Sequence, residues 1–255
     1  MEILDYSSLL FRWIHIIAGI LWIGMLYFFN FVNAPFAATM DGDTKKKVVP
    51  ELMPRALYWF RWGAAFTWIT GFLMIMIIFD IQKAAYNDPL NIMGPGRGLQ
   101  YLFLIAPFIY DALAKSPIAK NWKVWVAVCF LLIIGTMFLL TEVGGFGYRG
   151  YVIQMGAIFG SIMAYNVWFR IWPNQKKIIT GIKTGNPADA SVVALAGTRS
   201  KHNVYMSVPL LWAMINSHSV ALHGEYGWVW FAGITLVGWH TVLMLYKRAG
   251  KVKGF

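Results

Sequence analysis

The sequence predicts an all-α integral membrane protein: a bundle of about seven transmembrane helices, N-terminus outside and C-terminus cytoplasmic. Three observations predict it. The chain is 58% hydrophobic and only 13% charged, where a soluble domain carries roughly 25% charged residues. Its apolar residues fall in runs that reach or approach the roughly 20 residues a helix needs to cross the hydrocarbon core. Its lysines and arginines gather between alternate runs, the asymmetry that sets orientation in a bilayer.

The spans follow in order. The first covers about residues 9–31, and its stretch 12–24 is apolar apart from Arg12 and His15. The second covers about 57–79. The third, about 99–113, is short and holds Pro107, and the fourth, about 122–141, opens on Trp122. The fifth, about 150–172, carries Gly156 and Gly160 and closes on Trp172. The sixth, about 204–220, is short and holds Pro209, and the seventh covers about 227–246. Prolines are tolerated here because neighbouring helices re-satisfy the backbone groups they free. Trp13, Trp59, Trp122, Trp172 and Trp228 lie near span ends, where amphipathic rings anchor at the membrane interface.

With the N-terminus outside, only Arg12, Lys83, Arg97 and Arg149 of the 22 lysines and arginines fall on the outer side. The rest fall on the cytoplasmic side, so the number of spans is odd. The net charge of +11 therefore lies in short connections and forms no basic domain, which argues against nucleic acid as a partner. Cys129 is the single cysteine and there is no CxxCH, so neither an intrachain disulfide nor covalent haem attachment is expected. The opening MEILDYSS has no basic n-region, and the first span is expected to be retained. The whole chain, 1–255, reads as a single multi-span membrane domain.

Five histidines stand out: His15, His202, His218, His223 and His240. One hydrogen bond to a neighbouring helix satisfies a neutral histidine in a span, yet intramembrane ionisable groups are also where function concentrates. Depth sorts four of them. His15 lies about 9 Å into the first span. His202 and His218 are about 24 Å apart along one helix and cannot serve one compact site. His15 and His218 fall on the outer side, His202 and His240 on the inner. Two histidines at similar depth on different helices are what a bis-imidazole b-type haem requires. One or two such haems would make a path for electrons. Gly19 and Trp22 share the face of His15, and a glycine one turn from a ligand leaves space for a porphyrin. Other pairings stay open. His223 lies in the outer loop beside Glu225.

Other polar features compete. Gly156 and Gly160 form a small-xxx-small pair, read either as close helix packing or as room for a flat cofactor. Gln154, Asn166, Asn216 and Arg170 are the types a polar substrate pocket would use. Asp111, Glu142 and Asn166 would serve a transporter. Zinc or copper is disfavoured, because no thiolate cluster or close histidine spacing is present.

Several segments resemble one family. LYWFRWGAAFTWITGF (57–72), YDALAKSP (110–117), GAIFGSIMAYNVWFRIWPNQKK (156–177) and SKHNVYMSVPLLWAMINSH (200–218) are similar to the N-terminal membrane domain of bacterial membrane-bound, cytochrome-linked urate hydroxylases (urate oxidases). RWIHIIAGILWIG fits the opening of that domain. The most specific part is WPNQKK followed about 25 residues later by SKHN. The resemblance implies a multi-pass domain of the bacterial inner membrane, tied to urate oxidation, whose electrons pass to a c-type cytochrome. His15, His202, His218 and His240 match positions of the pattern. The family's fused cytochrome c domain is expected to be absent here. Gln154 and Tyr58 stand where that pattern has histidine, and FVNAPFAATMDGDTKKKVVPELMPR stands where it has a glycine-rich, histidine-containing segment.

Three functions stay open. The preferred one is a membrane redox protein holding haem b through paired histidines and passing electrons to a separate c-type cytochrome or terminal oxidase. The second is a urate-oxidising enzyme with its acceptor on another chain. The third is a non-redox transporter or assembly anchor.

Overall fold

A computed structural model describes residues 2–82, 96–219 and 227–252. Lys83, His223, Glu225 and Lys253 lie outside the described residues. Among those described, no residue is in a strand and nearly all are helical.

Seven helices of fourteen residues or more carry the fold: α1 (Ile3–Thr39), α2 (Gly42–Phe79), α3 (Leu102–Lys115), α4 (Trp122–Val143), α5 (Tyr148–Thr184), α6 (Ala190–Asn216) and α7 (Gly227–Ala249). Five of them, α1, α2, α4, α5 and α7, are long and apolar enough to cross a membrane. α3 has 14 residues, about 21 Å at 1.5 Å per residue, well under the roughly 30 Å core. α6 is long enough at 27 residues, but its first half is polar. Among the described residues the third and sixth expected spans are therefore helices shorter or more polar than the other five.

Local chemistry sets the ends. The Asn121 side chain accepts the Lys123 and Val124 N–H groups at 3.1 and 3.5 Å and starts α4. Asp41 starts α2 by accepting the Thr44 N–H at 2.8 Å and the Thr44 hydroxyl at 2.8 Å. Gly185, at φ +77°, stops α5 in the left-handed conformation that glycine adopts without strain. Pro187 follows and discourages further helix.

Two connections expected as loops are helical. Residues 32–56 form the end of α1, a tight turn at Met40 and Asp41, and the first third of α2. Pro50 and Pro54 lie inside α2, where the Glu51–Arg55 ion pair at 2.8 Å supports the turn between them. Residues 173–203 likewise form the end of α5 and the start of α6. Wider π-type turns interrupt several helices, including Phe28–Asn33 in α1 and Asn166–Ile171 in α5.

The chain divides into two compact units. One comprises Phe72–Ile162 and Ser207–Gly238 with the first residues of the chain. In it Phe159 stacks on Phe231 with ring centroids 6.4 Å apart. A Cβ on Gly238 would meet Val208 and Pro209 at 3.0–3.4 Å, and one on Gly160 would meet Leu210 at 3.5 Å. At Gly156 the space is filled by Met214 and Ala213. The Gly156–Gly160 pair is a helix-packing seam against α6, and the flat-cofactor reading of it fails on that ground.

The other unit comprises Leu9–Gly71, Met163–Met206 and Trp239–Phe255. Here α1 and α2 approach backbone to backbone: a Cβ on Gly63 would stand 3.1 Å from the Trp22 nitrogen and 3.2 Å from the Ala18 carbonyl oxygen. Phe29 meets Phe60 edge to face at 5.3 Å. Small residues at the crossing maximise dispersion contact, which drives helix association where lipid offers no hydrophobic gain.

Candidate functional site

His15 sits on α1 and its ring lies against α2. A Cβ on Gly71 would be 3.0 Å from His15 Cε1. His15 Nδ1 is 3.2 Å from the Thr70 hydroxyl oxygen. That hydroxyl donates to the Phe66 carbonyl at 2.6 Å, and a carbonyl only accepts. The Thr70 oxygen therefore offers His15 a lone pair. An imidazole that donates to it from Nδ1 would keep its lone pair on Nε2, the tautomer of a metal-ligating histidine oriented by an outer acceptor. The ring is half-buried.

The face of His15 differs from expectation in one respect. A Cβ on Gly19 would meet Thr67 at 3.8 Å, and Trp22 is buried against Gly63. Gly19 and Trp22 form the seam between α1 and α2, so the space at Gly19 is occupied by a neighbouring helix.

The other histidines spread out. His202 is half-buried within α6, between Arg199 and Asn203, while His240 on α7 and His218 just beyond α6 are exposed. His15, His202 and His240 belong to the second unit and His218 to the first. Among the described residues, no three His, Cys, Asp or Glu side chains gather to share a metal ion.

The stretch Arg199–Asn203 of α6 is a polar hub in the second unit. Arg199 is 1% exposed. Ser200 accepts the Asn30 amide at 2.8 Å, and Asn30 in turn accepts the Tyr246 hydroxyl at 2.8 Å. One asparagine thus ties α1, α6 and α7. Asn203 accepts the Asn166 amide at 2.9 Å and donates to the Met163 carbonyl at 3.0 Å, which ties α5 to α6. Lys201 Nζ stands 6.0 Å from the Tyr246 ring. Asn30 and Asn166 both fall in π-type turns, which recur at functional positions.

The four residues expected to line a polar pocket have separate tasks. Asn166 is engaged by Asn203. Arg170 donates to its own helix neighbour Tyr165 at 3.2 Å. Asn216 donates to the Trp212 carbonyl at 3.4 Å, and its own carbonyl accepts the Tyr148 hydroxyl. Gln154 differs: it is fully buried, and neither its amide nitrogen nor its oxygen has a partner among the described residues. Of the transporter set, Asp111 is paired with Lys115 at 2.7 Å. Tyr58 is exposed, its ring 5.8 Å from the Arg61 guanidinium.

Sequence reasoning named Asn166 but missed Thr70, Arg199 and Asn203. Asn203 was visible inside SKHN, the stretch already singled out. Thr70 was hidden, because a threonine in an apolar run gives no sign of which helix it faces.

These features define a multi-helix membrane protein with a polar hub and a histidine hydrogen-bonded to the neighbouring helix. The family model of the urate oxidase N-terminal domain matches residues 41–253, and the chain belongs to that family. His202, His218 and His240 lie inside the matched range, whereas α1 and His15 precede it. No curated protein and no solved structure matched the chain.

Proposed function

We propose that the protein is a membrane redox protein of the bacterial inner membrane that holds b-type haem through intramembrane histidines and passes electrons to a separate c-type cytochrome or terminal oxidase. The observation that supports this reading is the Thr70–His15 hydrogen bond, which would leave the lone pair on Nε2 if Nδ1 is the donor. What supports a ligand role here is an imidazole within a span with an outer hydrogen-bond partner on the neighbouring helix. His15, His202, His218 and His240 are the residues that would hold the haem. Bound haem would supply one-electron exchange at a potential set by its ligands and burial. The chain's part is to orient the rings and exclude water.

The test is a dithionite-reduced minus oxidised spectrum of the detergent-purified protein, with haem counted per chain. A b-type spectrum lost in His15→Ala supports the proposal, and a count of two would call on all four histidines. A colourless protein that expresses and folds normally overturns it.

A second reading is favoured by the family and by the unpartnered carboxamide of Gln154. In it the chain itself oxidises urate or a related purine and delivers electrons to a cytochrome c on another polypeptide. A buried amide with an open donor and acceptor suits the lactam edge of a flat heterocycle. Urate-dependent reduction of an added acceptor, diminished in Gln154→Leu, tests it.

A further inference from the structure

We propose that the end of α5 forms a binding site for the phosphate of an anionic phospholipid. A groove of about 660 Å³ lies there, with Lys176, Lys177, Thr180, Gly181 and Asn186 among its walls and no acidic residue lining it. Its floor is tight. A Cβ on Gly181 would stand 2.5 Å from the Asn186 carbonyl oxygen and 3.0 Å from the Ala188 nitrogen, so the α5–α6 hairpin closes on bare backbone. Both lysines are exposed.

Depth selects the occupant. α5 leaves its buried apolar stretch at Trp172, an amphipathic ring of the kind that sits at the membrane interface. The Arg61 guanidinium is 4.0 Å and the Lys176 ammonium 5.3 Å from that ring's centre. Lys176 follows Trp172 by one turn, about 6 Å along the helix. The headgroup layer outside the hydrocarbon core is about 5–7 Å thick on each side. The two lysines thus stand at phosphate level, beside a tryptophan already flanked by cations. A lipid phosphate is delivered to that depth by its acyl chains, whereas a soluble anion gains nothing from it.

The experiment uses the detergent-purified full chain. Its thermal unfolding temperature is followed against short-chain phosphatidylglycerol, short-chain phosphatidylcholine and inorganic phosphate. Phosphatidylglycerol is expected to stabilise at the lowest concentration. Lys176→Gln together with Lys177→Gln is expected to weaken that response roughly tenfold or more, since each basic side chain near an anionic surface contributes. An equal loss from Lys183→Gln with Lys201→Gln, outside the groove, would show a diffuse field and overturn the site. Equal stabilisation by phosphatidylcholine would overturn the charge requirement. Stabilisation by inorganic phosphate that matches phosphatidylglycerol would assign the groove to a free phosphate and overturn the lipid.

Discussion

The Asn166 amide on α5 donates to the Asn203 side-chain oxygen on α6 at 2.9 Å, and both residues are fully buried. An amide that loses its partner in such surroundings cannot turn to water. Asn203→Ala is expected to destabilise the protein by about 1–2 kcal/mol. The double variant Asn166→Ala, Asn203→Ala should cost less than the sum of the single changes. Unfolding in bicelles measures all three. Strict additivity would mean that the pair contributes no coupling.

Glycine substitutions should separate two kinds of contact. Gly63→Ala drives a methyl group into the Trp22 and Ala18 backbone, which cannot step aside, and should cost about 1–3 kcal/mol. Gly160→Ala meets only the end of Leu210 at 3.5 Å. It should be neutral or stabilising, because alanine is the better helix former by roughly 0.5–1 kcal/mol. Thermal unfolding of the two variants side by side decides.

If His15 ligates iron, Thr70 is a positioning residue. Thr70→Val keeps the shape but removes the acceptor for Nδ1–H, and losing such an outer partner typically costs roughly 10–100-fold in affinity. Thr70→Ser should restore binding. Haem titration and the midpoint potential both report on this. Wild-type values in Thr70→Val would show that the hydroxyl merely satisfies its own helix.

Asp41 gives a pH dependence outside the spans. The Thr44 N–H and hydroxyl both donate to its carboxylate and hold its pKa below the ordinary aspartate value. A depressed carboxylate stabilises the start of α2 fully above the ordinary pKa of about 3.9. That contribution fades as pH falls through the lower, folded value. Protection of the Thr44 amide from hydrogen exchange, corrected for intrinsic rate, should therefore hold above about pH 4 and decline below it. Asp41→Ala should show the unprotected behaviour at every pH.

Apolar runs made the long helices legible, because a bilayer leaves the backbone little choice but to satisfy itself within a helix. Their true lengths were less legible. Lysines at 45–47 with prolines at 50 and 54, and the polar 173–203 stretch, resemble loops by composition, yet nothing in them forbids a helix whose freed carbonyls face water. The site was legible only residue by residue. His15 could be placed by depth, but its Thr70 acceptor depended on the neighbour and rotation of α1. Gln154 and Asn166 looked alike in sequence. Asn166 meets Asn203 on α6, whereas Gln154 has no hydrogen-bond partner among the described residues, and that difference exists only between helices.

α1 and α2, joined by the turn at Met40 and Asp41, run 37 and 38 residues, about 55 Å each against a hydrocarbon core of about 30 Å. Tilt absorbs only part of that excess, and the polar residues 41–56 around the turn make it the end expected to stand clear of the bilayer. A soluble protein approaching from that side meets Lys45–Lys47 before it meets lipid. A hairpin of that length would set a standoff height for any soluble protein that docks beside it.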